Sequence, residues 1–88
     1  MQTLDVAEVG LPQTVVLYAT RDRWRYSIYT DRLSLEGVLS EWVTPDRAQR
    51  EAAELVSRAF GRPLELRWDV FDPGWWVAHV EPHSVFTD

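Results

Sequence analysis

The residue types best suited to binding a metal lie near the C-terminal end, where His79, Glu81 and His83 occupy alternate positions. Imidazole and carboxylate groups are common zinc ligands, and each lies about 2 Å from the ion. On an extended strand that rises about 3.3 Å per residue, however, the two imidazoles stand roughly 13 Å apart. Both reach one ion only if Pro82 bends the chain sharply. A solvated strand face is therefore the simpler interpretation, and no metal or other cofactor is predicted.

General-base catalysis is the second chemistry that the sequence suggests, because Asp69 and His79 face each other in the strand pairing predicted below. A carboxylate in that position orients an imidazole, as in hydrolytic triads. The chain has no cysteine, and none of its serines lies in the G-x-S-x-G pattern of a nucleophile elbow. A Gly-rich phosphate loop is also absent from the sequence. An exposed cross-strand pair explains Asp69 and His79 more simply, so the chain is predicted not to be an enzyme.

Arginines alternate with aromatic residues between positions 21 and 26, a pattern typical of surfaces that stack nucleic-acid bases. The residues of this alternative nucleic-acid site are Arg21, Arg23, Trp24 and Arg25, followed by Tyr26. Asp22 interrupts the cluster, and the chain carries a net charge of −5, which opposes contact with a phosphate backbone. Strand alternation also sends Trp24 and Arg25 to opposite faces. A hairpin tip is the simpler interpretation, and nucleic-acid binding is the alternative function.

Large aromatic residues flank a turn signal, Asp72–Gly74, on the side of the strands predicted to face water. Aromatics are unusual on the solvated face of a monomer and common as anchors of protein interfaces. They are either such anchors or part of a second core face beneath residues 1–12 or the C-terminal tail. The predicted partner-binding residues are Phe71, Trp75, Val77, Glu65 and Asp69.

One amphipathic helix, Thr44–Gly61, organises the elements that must position these side chains. Thr44 is a preferred N-cap residue, Pro45 suits the first helical position, and Gly61 before Pro63 is a stop signal. Apolar residues at three- and four-residue steps form one stripe: Ala48, Ala52, Leu55, Val56, Ala59 and Phe60. A single stripe needs a single apolar surface to cover, which the flanking strands supply.

Strand patterns surround this helix on both sides in the sequence. Segment 31–43 fits both a strand and a helix, and Gly37 within it favours a third strand. The predicted strands are 13–20, 24–30, 31–43, 63–71 and 75–82. The predicted fold class is therefore α+β: an antiparallel sheet of about five strands in the order β-β-β-α-β-β, with one helix packed on one face.

The last two strands form a predicted hairpin whose register follows from side-chain matching. A tight register with Asp72 opposite Trp75 mixes apolar and polar faces, because it places Trp68 opposite His79. A slip of one residue through a bulge or an odd-length loop restores the match. The pairs predicted for the slipped register are Trp68 with Val80, Val70 with Ala78, Arg67 with Glu81 and Asp69 with His79.

Length and composition limit the class of protein. Eighty-eight residues with 45% apolar content and five tryptophans predict one folded domain. No apolar run approaches the roughly 18–20 residues that span a bilayer, and the N-terminal stretch lacks the features of a secretory signal. A soluble cytoplasmic protein without a membrane partner is expected. The predicted organisation is an N-terminal arm or edge strand at 1–12, one α+β domain at 13–82 and a C-terminal tail at 83–88.

The charge and codon bias suggest a class of partner and a source. All nine basic residues are arginine, and lysine and asparagine are absent, which is typical of a GC-rich bacterial or phage genome. The leading hypothesis is a small acidic non-enzymatic module that binds another protein, one with a basic surface. An inhibitor, immunity or anti-defence role fits, since carboxylates would steer the encounter while aromatics supply affinity. Homodimerisation through the same patch is a version of this hypothesis.

Overall fold

The computed structural model describes residues 4–39 and 42–81 and confirms the α+β prediction. One long helix follows the third strand and precedes a final hairpin. The elements are α1 Val6–Val9, β1 Pro12–Ala19, β2 Trp24–Thr30, β3 Ser34–Val38, α2 Pro45–Phe60, β4 Leu66–Asp72 and β5 Trp75–Val80. The ambiguous segment 31–43 therefore contains a strand, which covers five of its residues.

The five strands form one antiparallel sheet in the order β3-β2-β1-β5-β4. Strand β1 lies at the centre and pairs with β2 on one side and β5 on the other, so that Val15 faces both Ile28 and Ala78. The sheet thus joins the β1–β2 hairpin, with β3 at its edge, to the β4–β5 hairpin that follows α2. Strands β3 and β4 form the two edges, which leaves the predicted binding residues of β4 at one margin of the sheet.

The core lies between α2 and one face of the sheet, and it consists of two adjoining clusters. In the first, Val15, Ile28 and Ala78 of the sheet pack against Val56 and Phe60 of the helix. In the second, the small residues Ala48 and Ala52 face Leu17 and the large ring of Trp24. Small residues opposite a large ring allow close packing without a void. The predicted stripe is confirmed: Ala48, Ala52, Val56 and Phe60 are buried, and Leu55 and Ala59 are half-buried.

The ends of α2 lie where the sequence predicts them. Thr44 occupies the N-cap position with an extended backbone, and Pro45 begins the helix, but the Thr44 side chain makes no capping hydrogen bond. At the other end Gly61 adopts the left-handed conformation, with φ of 70°, which a residue with a Cβ rarely adopts. Its backbone N–H donates to the carbonyl of Arg58 at 3.2 Å.

The register of the last hairpin differs from the prediction. Strand β4 bulges between Val70 and Asp72, so Asp72 still faces Trp75 at the turn while the remaining pairs shift by one residue. The slip is opposite in direction to the predicted one, because the extra residue belongs to β4. The observed pairs are Leu66 with Val80, Arg67 with His79, Trp68 with Ala78, Asp69 with Val77 and Val70 with Trp76. The apolar and polar faces still match, as the prediction required.

The N-terminal segment also differs from one of its two predictions. Residues 6–9 form the short helix α1 instead of an edge strand. The Asp5 side chain accepts a hydrogen bond from the N–H of Ala7 at 2.9 Å, and Glu8 follows three residues later, a helix-start signal visible in the sequence. Leu4, Val6 and Val9 pack against the first core cluster. The predicted tail at 83–88 lies outside the described residues.

Candidate protein-binding surface

The face of the sheet opposite α2, here called the open face, carries the predicted binding residues of the last hairpin. Alternation and register arrange its side chains in three rows across the strands. The middle row is Asp69, Val77, Val16, Ser27 and Glu36. The row nearer the β4–β5 turn is Trp75, Tyr18, Arg25 and Val38, and the third row is Arg67, His79, Thr14, Tyr29 and Ser34. The apolar side chains that adjoin one another are Val16 and Tyr18 of β1 and Trp75 and Val77 of β5, and the positions beside them on β4, β2 and β3 are mostly polar or charged.

An aromatic stack forms the most prominent part of the open face. The rings of Tyr18 and Trp75 stack with centroids 4.5 Å apart and planes 12° apart. The two strands are held together there because the Ala19 N–H donates to the Gly74 carbonyl at 2.9 Å. Trp75 nevertheless remains 41% exposed. Stacked rings fix each other's rotamers, so this pair presents a preorganised apolar surface to solvent.

The two other apolar residues predicted to bind a partner, Phe71 and Val77, differ in their exposure. Phe71 is the extra residue of the β4 bulge and is 75% exposed. Val77 lies directly across from Val16 near the centre of the open face, and both are half-buried. The second core face considered for these aromatics is not built by the N-terminal segment, since Leu4, Val6 and Val9 pack against the helix-side core.

The charges of the open face are mixed. Asp69 lies opposite Val77, and its carboxylate has no hydrogen-bond or ion-pair partner among the described residues. Arg67 pairs with Glu81 at 3.6 Å, the contact that the sequence predicts, although the two residues are diagonal neighbours and not directly opposed. Glu65 lies just before β4, four residues from Asp69, which corresponds to about 13 Å along an extended chain. The two predicted acids therefore do not form one cluster.

Catalytic and metal-binding arrangements gain no support from the register. His79 faces Arg67 and Asp69 faces Val77, so the predicted direct opposition of Asp69 and His79 is wrong. The two residues are diagonal neighbours, and among the described residues no hydrogen bond or ion pair joins them. Among the described residues, no group of three or more histidine and acidic side chains is placed to hold a metal ion. His83, the third member of the alternating pattern, lies outside the described residues.

The alternative nucleic-acid site loses its aromatic member to the core. Trp24 is 2% exposed, and its indole N–H donates to the carbonyl of Val43 at 2.8 Å. It therefore offers no free ring face on which a base would stack. Arg21 and Arg25 are exposed, and Arg23 pairs with Asp22 at 3.4 Å. Three exposed arginines remain at this tip.

A groove lined by tryptophans at the start of α2 was not predicted from the sequence. The ring of Trp24 stacks on that of Trp42, with centroids 5.4 Å apart. The centroid of the tilted Trp76 ring lies 5.5 Å from that of Trp24. These rings, with Thr44, Pro45, Arg47 and Gly74 among their neighbours, line a groove of about 780 Å³. Trp42 is 57% exposed on its rim. Trp42 falls in the segment whose structure was ambiguous, so its position against Trp24 followed from no local pattern.

Tyr18 is the other residue of the surface that sequence reasoning missed. Alternation in 13–20 places it with Thr14 and Val16 on one face, which is a usable signal. Its contact with Trp75, however, depends on pairing between the first and last strands, which lie far apart in the chain. Neither strand carries a pattern that specifies this neighbour.

Comparisons with protein-family models, with curated proteins and with solved structures found no match for this chain. Within the described ranges, no helix has the length and apolar character needed to cross a membrane.

Proposed function

We propose that this protein is a non-enzymatic module that binds another protein through the open face of its sheet. The observation that carries the proposal is the Tyr18–Trp75 stack, which stays exposed beside the bulged Phe71. Large rigid aromatics bury much area at little entropic cost, and they are the residues that most often dominate binding energy. The apolar centre with polar and charged neighbours also has the organisation of a protein interface.

The chemistry of the partner follows from the charges. The chain has a net charge of −5, which favours a basic partner at long range, and the open face itself carries the exposed acids Asp69 and Glu36 beside the exposed Arg67 and Arg25. A partner with an apolar pocket or ridge bordered by arginine or lysine would complement this surface. Long-range attraction would then accelerate encounter, and the aromatic stack would supply most of the affinity. An inhibitor, immunity or anti-defence protein of a GC-rich bacterium or phage fits this description.

The test is capture of a partner from the lysate of a GC-rich bacterium, with two matched tryptophan variants. Trp75→Ser removes the stack on the open face, whereas Trp42→Ser removes a comparably exposed ring from the tryptophan groove. We expect wild-type protein and Trp42→Ser to retain the same protein at low salt, and Trp75→Ser to lose it at least tenfold. Equal capture by both variants would contradict a role for the open face.

Nucleic-acid binding by the hairpin tip is the alternative, and it now depends on Arg21, Arg23 and Arg25 without a stacking ring. It predicts weak binding that is steeply dependent on salt. Absence of a shift of a fluorescent single-stranded oligonucleotide at low salt would remove this alternative.

A further inference from the structure

Among the described residues, no strand pairs with the outer edge of β4, and the hydrogen bonds to β5 show which of its backbone groups point outwards. The Glu81 N–H donates to the Glu65 carbonyl at 2.9 Å, which makes this a hydrogen-bonded pair of the antiparallel ladder. Since such pairs recur at every second residue, Arg67 and Asp69 also direct their backbone groups towards β5. The backbone N–H and C=O groups of Leu66, Trp68 and Val70 therefore point outwards from the sheet.

We propose that β4 pairs with β4 of a second copy of this chain, antiparallel and about a two-fold axis at Trp68. This interface goes beyond the proposed binding of a partner protein, because it is built on the backbone edge of β4 and does not involve the Tyr18–Trp75 stack, although Arg67 and Asp69 belong to the open face. In this register Trp68 faces the partner's Trp68, and Leu66 faces the partner's Val70. All of these residues have outward backbone groups, so the ladder of the sheet continues from one copy into the next.

Side-chain charges single out this register. Arg67 then lies opposite the partner's Asp69, and Asp69 lies opposite the partner's Arg67, which gives two complementary pairs across the axis. Asp69 has no partner of its own among the described residues.

The neighbouring registers with the same hydrogen-bonding pattern place like charges together. An axis at Arg67 opposes the two Arg67 side chains and sets Glu65 against Asp69, and an axis at Asp69 opposes the two Asp69 carboxylates. An axis at Leu66 does match Glu65 with Arg67, but that pairing lies largely before the start of β4 and leaves Val70 in water. The axis at Trp68 alone combines charge matching with full use of the strand.

Exposed apolar residues at this edge give the pairing a driving force. Val70 is 70% exposed and Leu66 is half-buried, and both lie on the helix side of β4. Val70 meets the partner's Leu66 on the helix side of the extended sheet, so both lose contact with water. The other edge, β3, carries only Glu36 as a charged residue and therefore has no complementary pair to match.

The decisive experiment uses charge reversal in the full-length chain, with molar mass measured by light scattering across a concentration series. Wild-type protein is expected to reach twice the 10.3 kDa mass of one chain. Arg67→Asp and Asp69→Arg each turn both attractive pairs into repulsive ones, so each variant alone should dissociate about tenfold more readily. Mixed together in equal amounts, the two variants restore complementary pairs and should recover the dimer.

Matched controls separate this edge from other surfaces. Glu36→Arg alters the opposite edge, and Trp75→Ser alters the open face, and neither should change the dimer. Amide exchange gives a second readout that needs no variant: the N–H groups of Leu66, Trp68 and Val70 should exchange more slowly at concentrations where the dimer forms.

Three outcomes would overturn the proposal. The first is a wild-type monomer at every concentration. The second is a dimer that neither single charge variant weakens. The third is a monomer that dimerises only after residues 82–88 are deleted, because that segment of the same chain would then be the occupant of the edge. Capture of a partner by the open face is measured separately, so failure of one proposal does not decide the other.

Discussion

At the scale of single residues, the tyrosine at position 26 illustrates how burial sets both packing and titration. Its ring lies on the helix side of the sheet and contacts both core clusters. Desolvation by this burial raises the pKa of the Tyr26 phenol above its ordinary value of 10.0. The folded protein therefore holds the phenolic proton at a pH where the unfolded chain releases it.

This raised pKa predicts loss of stability at alkaline pH. Because the unfolded chain binds fewer protons than the folded one above about pH 10, the free energy of unfolding should fall as the pH rises through that range. Urea denaturation at several pH values between about 9 and 11 measures the slope. Tyr26→Phe should flatten it, and Tyr29→Phe, which alters a 44% exposed ring, serves as the control. An equal slope in Tyr26→Phe and wild type would contradict this cause.

At the scale of the elements, the edge strand β3 depends on close contact between a glycine and this same ring. A Cβ atom at Gly37 would lie 2.2 Å from the Tyr26 hydroxyl oxygen and 2.4 Å from its Cζ. Both distances are shorter than van der Waals contact, so the ring must move for any larger residue to fit. In the sequence, Gly37 indicates only that a helix is disfavoured, whereas in the structure its missing side chain makes room for Tyr26.

Gly37→Ala should therefore destabilise the protein by about 1–3 kcal/mol, as overpacking of a core does. Placed in a Tyr26→Leu background, the same substitution should cost much less, because the shorter side chain leaves space for the Cβ. Chemical denaturation of both single variants and the double variant measures this coupling. Glu36→Ala on the exposed side of the same strand should change stability little. Strictly additive effects of Gly37→Ala and Tyr26→Leu would contradict the contact.

Comparison of α2 with the last hairpin shows which elements the sequence could specify. The helix was predicted within a residue at each end because its signals are local: Pro45 at the start, Gly61 at the end and a repeating apolar stripe between them. The β4–β5 register was wrong because a bulge at Phe71 depends on the twist and packing of two strands together. Side-chain matching showed that a slip was needed, but it did not show which strand carried the extra residue.

The candidate site likewise contains residues that the sequence predicted and residues that it did not. Exposure of Phe71 and Trp75 followed from alternation beside a turn, and the structure leaves both exposed. Tyr18 and the tryptophan groove did not follow, since both arise from contacts between segments that are distant in the chain. Likewise, the predicted opposition of Asp69 and His79 depended on the predicted register, and the observed register places Asp69 opposite Val77.

At the scale of the whole molecule, the central position of β1 joins the β1–β2 hairpin, with β3 at its edge, to the β4–β5 hairpin. Strand β1 is the element through which the hairpin before α2 contacts the hairpin after it, and its inward residues Val15 and Leu17 are fully buried. Helix α2 packs across strands of both hairpins through the two core clusters. Loss of packing at β1 should therefore weaken both halves together and not one hairpin alone.

The neighbouring residues Leu17 and Val16 provide a matched test of this arrangement. Leu17→Ala leaves a cavity beneath α2 and should cost about 2–5 kcal/mol, a large share of the stability of a domain of this size. Val16→Ala removes a half-buried side chain from the open face and should cost about 1 kcal/mol or less, because solvent can fill the space. Urea denaturation followed by both tryptophan fluorescence and far-ultraviolet circular dichroism gives the midpoints. In Leu17→Ala, the midpoints from fluorescence and from circular dichroism should coincide. Separate midpoints would show that the two hairpins unfold independently and that β1 does not couple them.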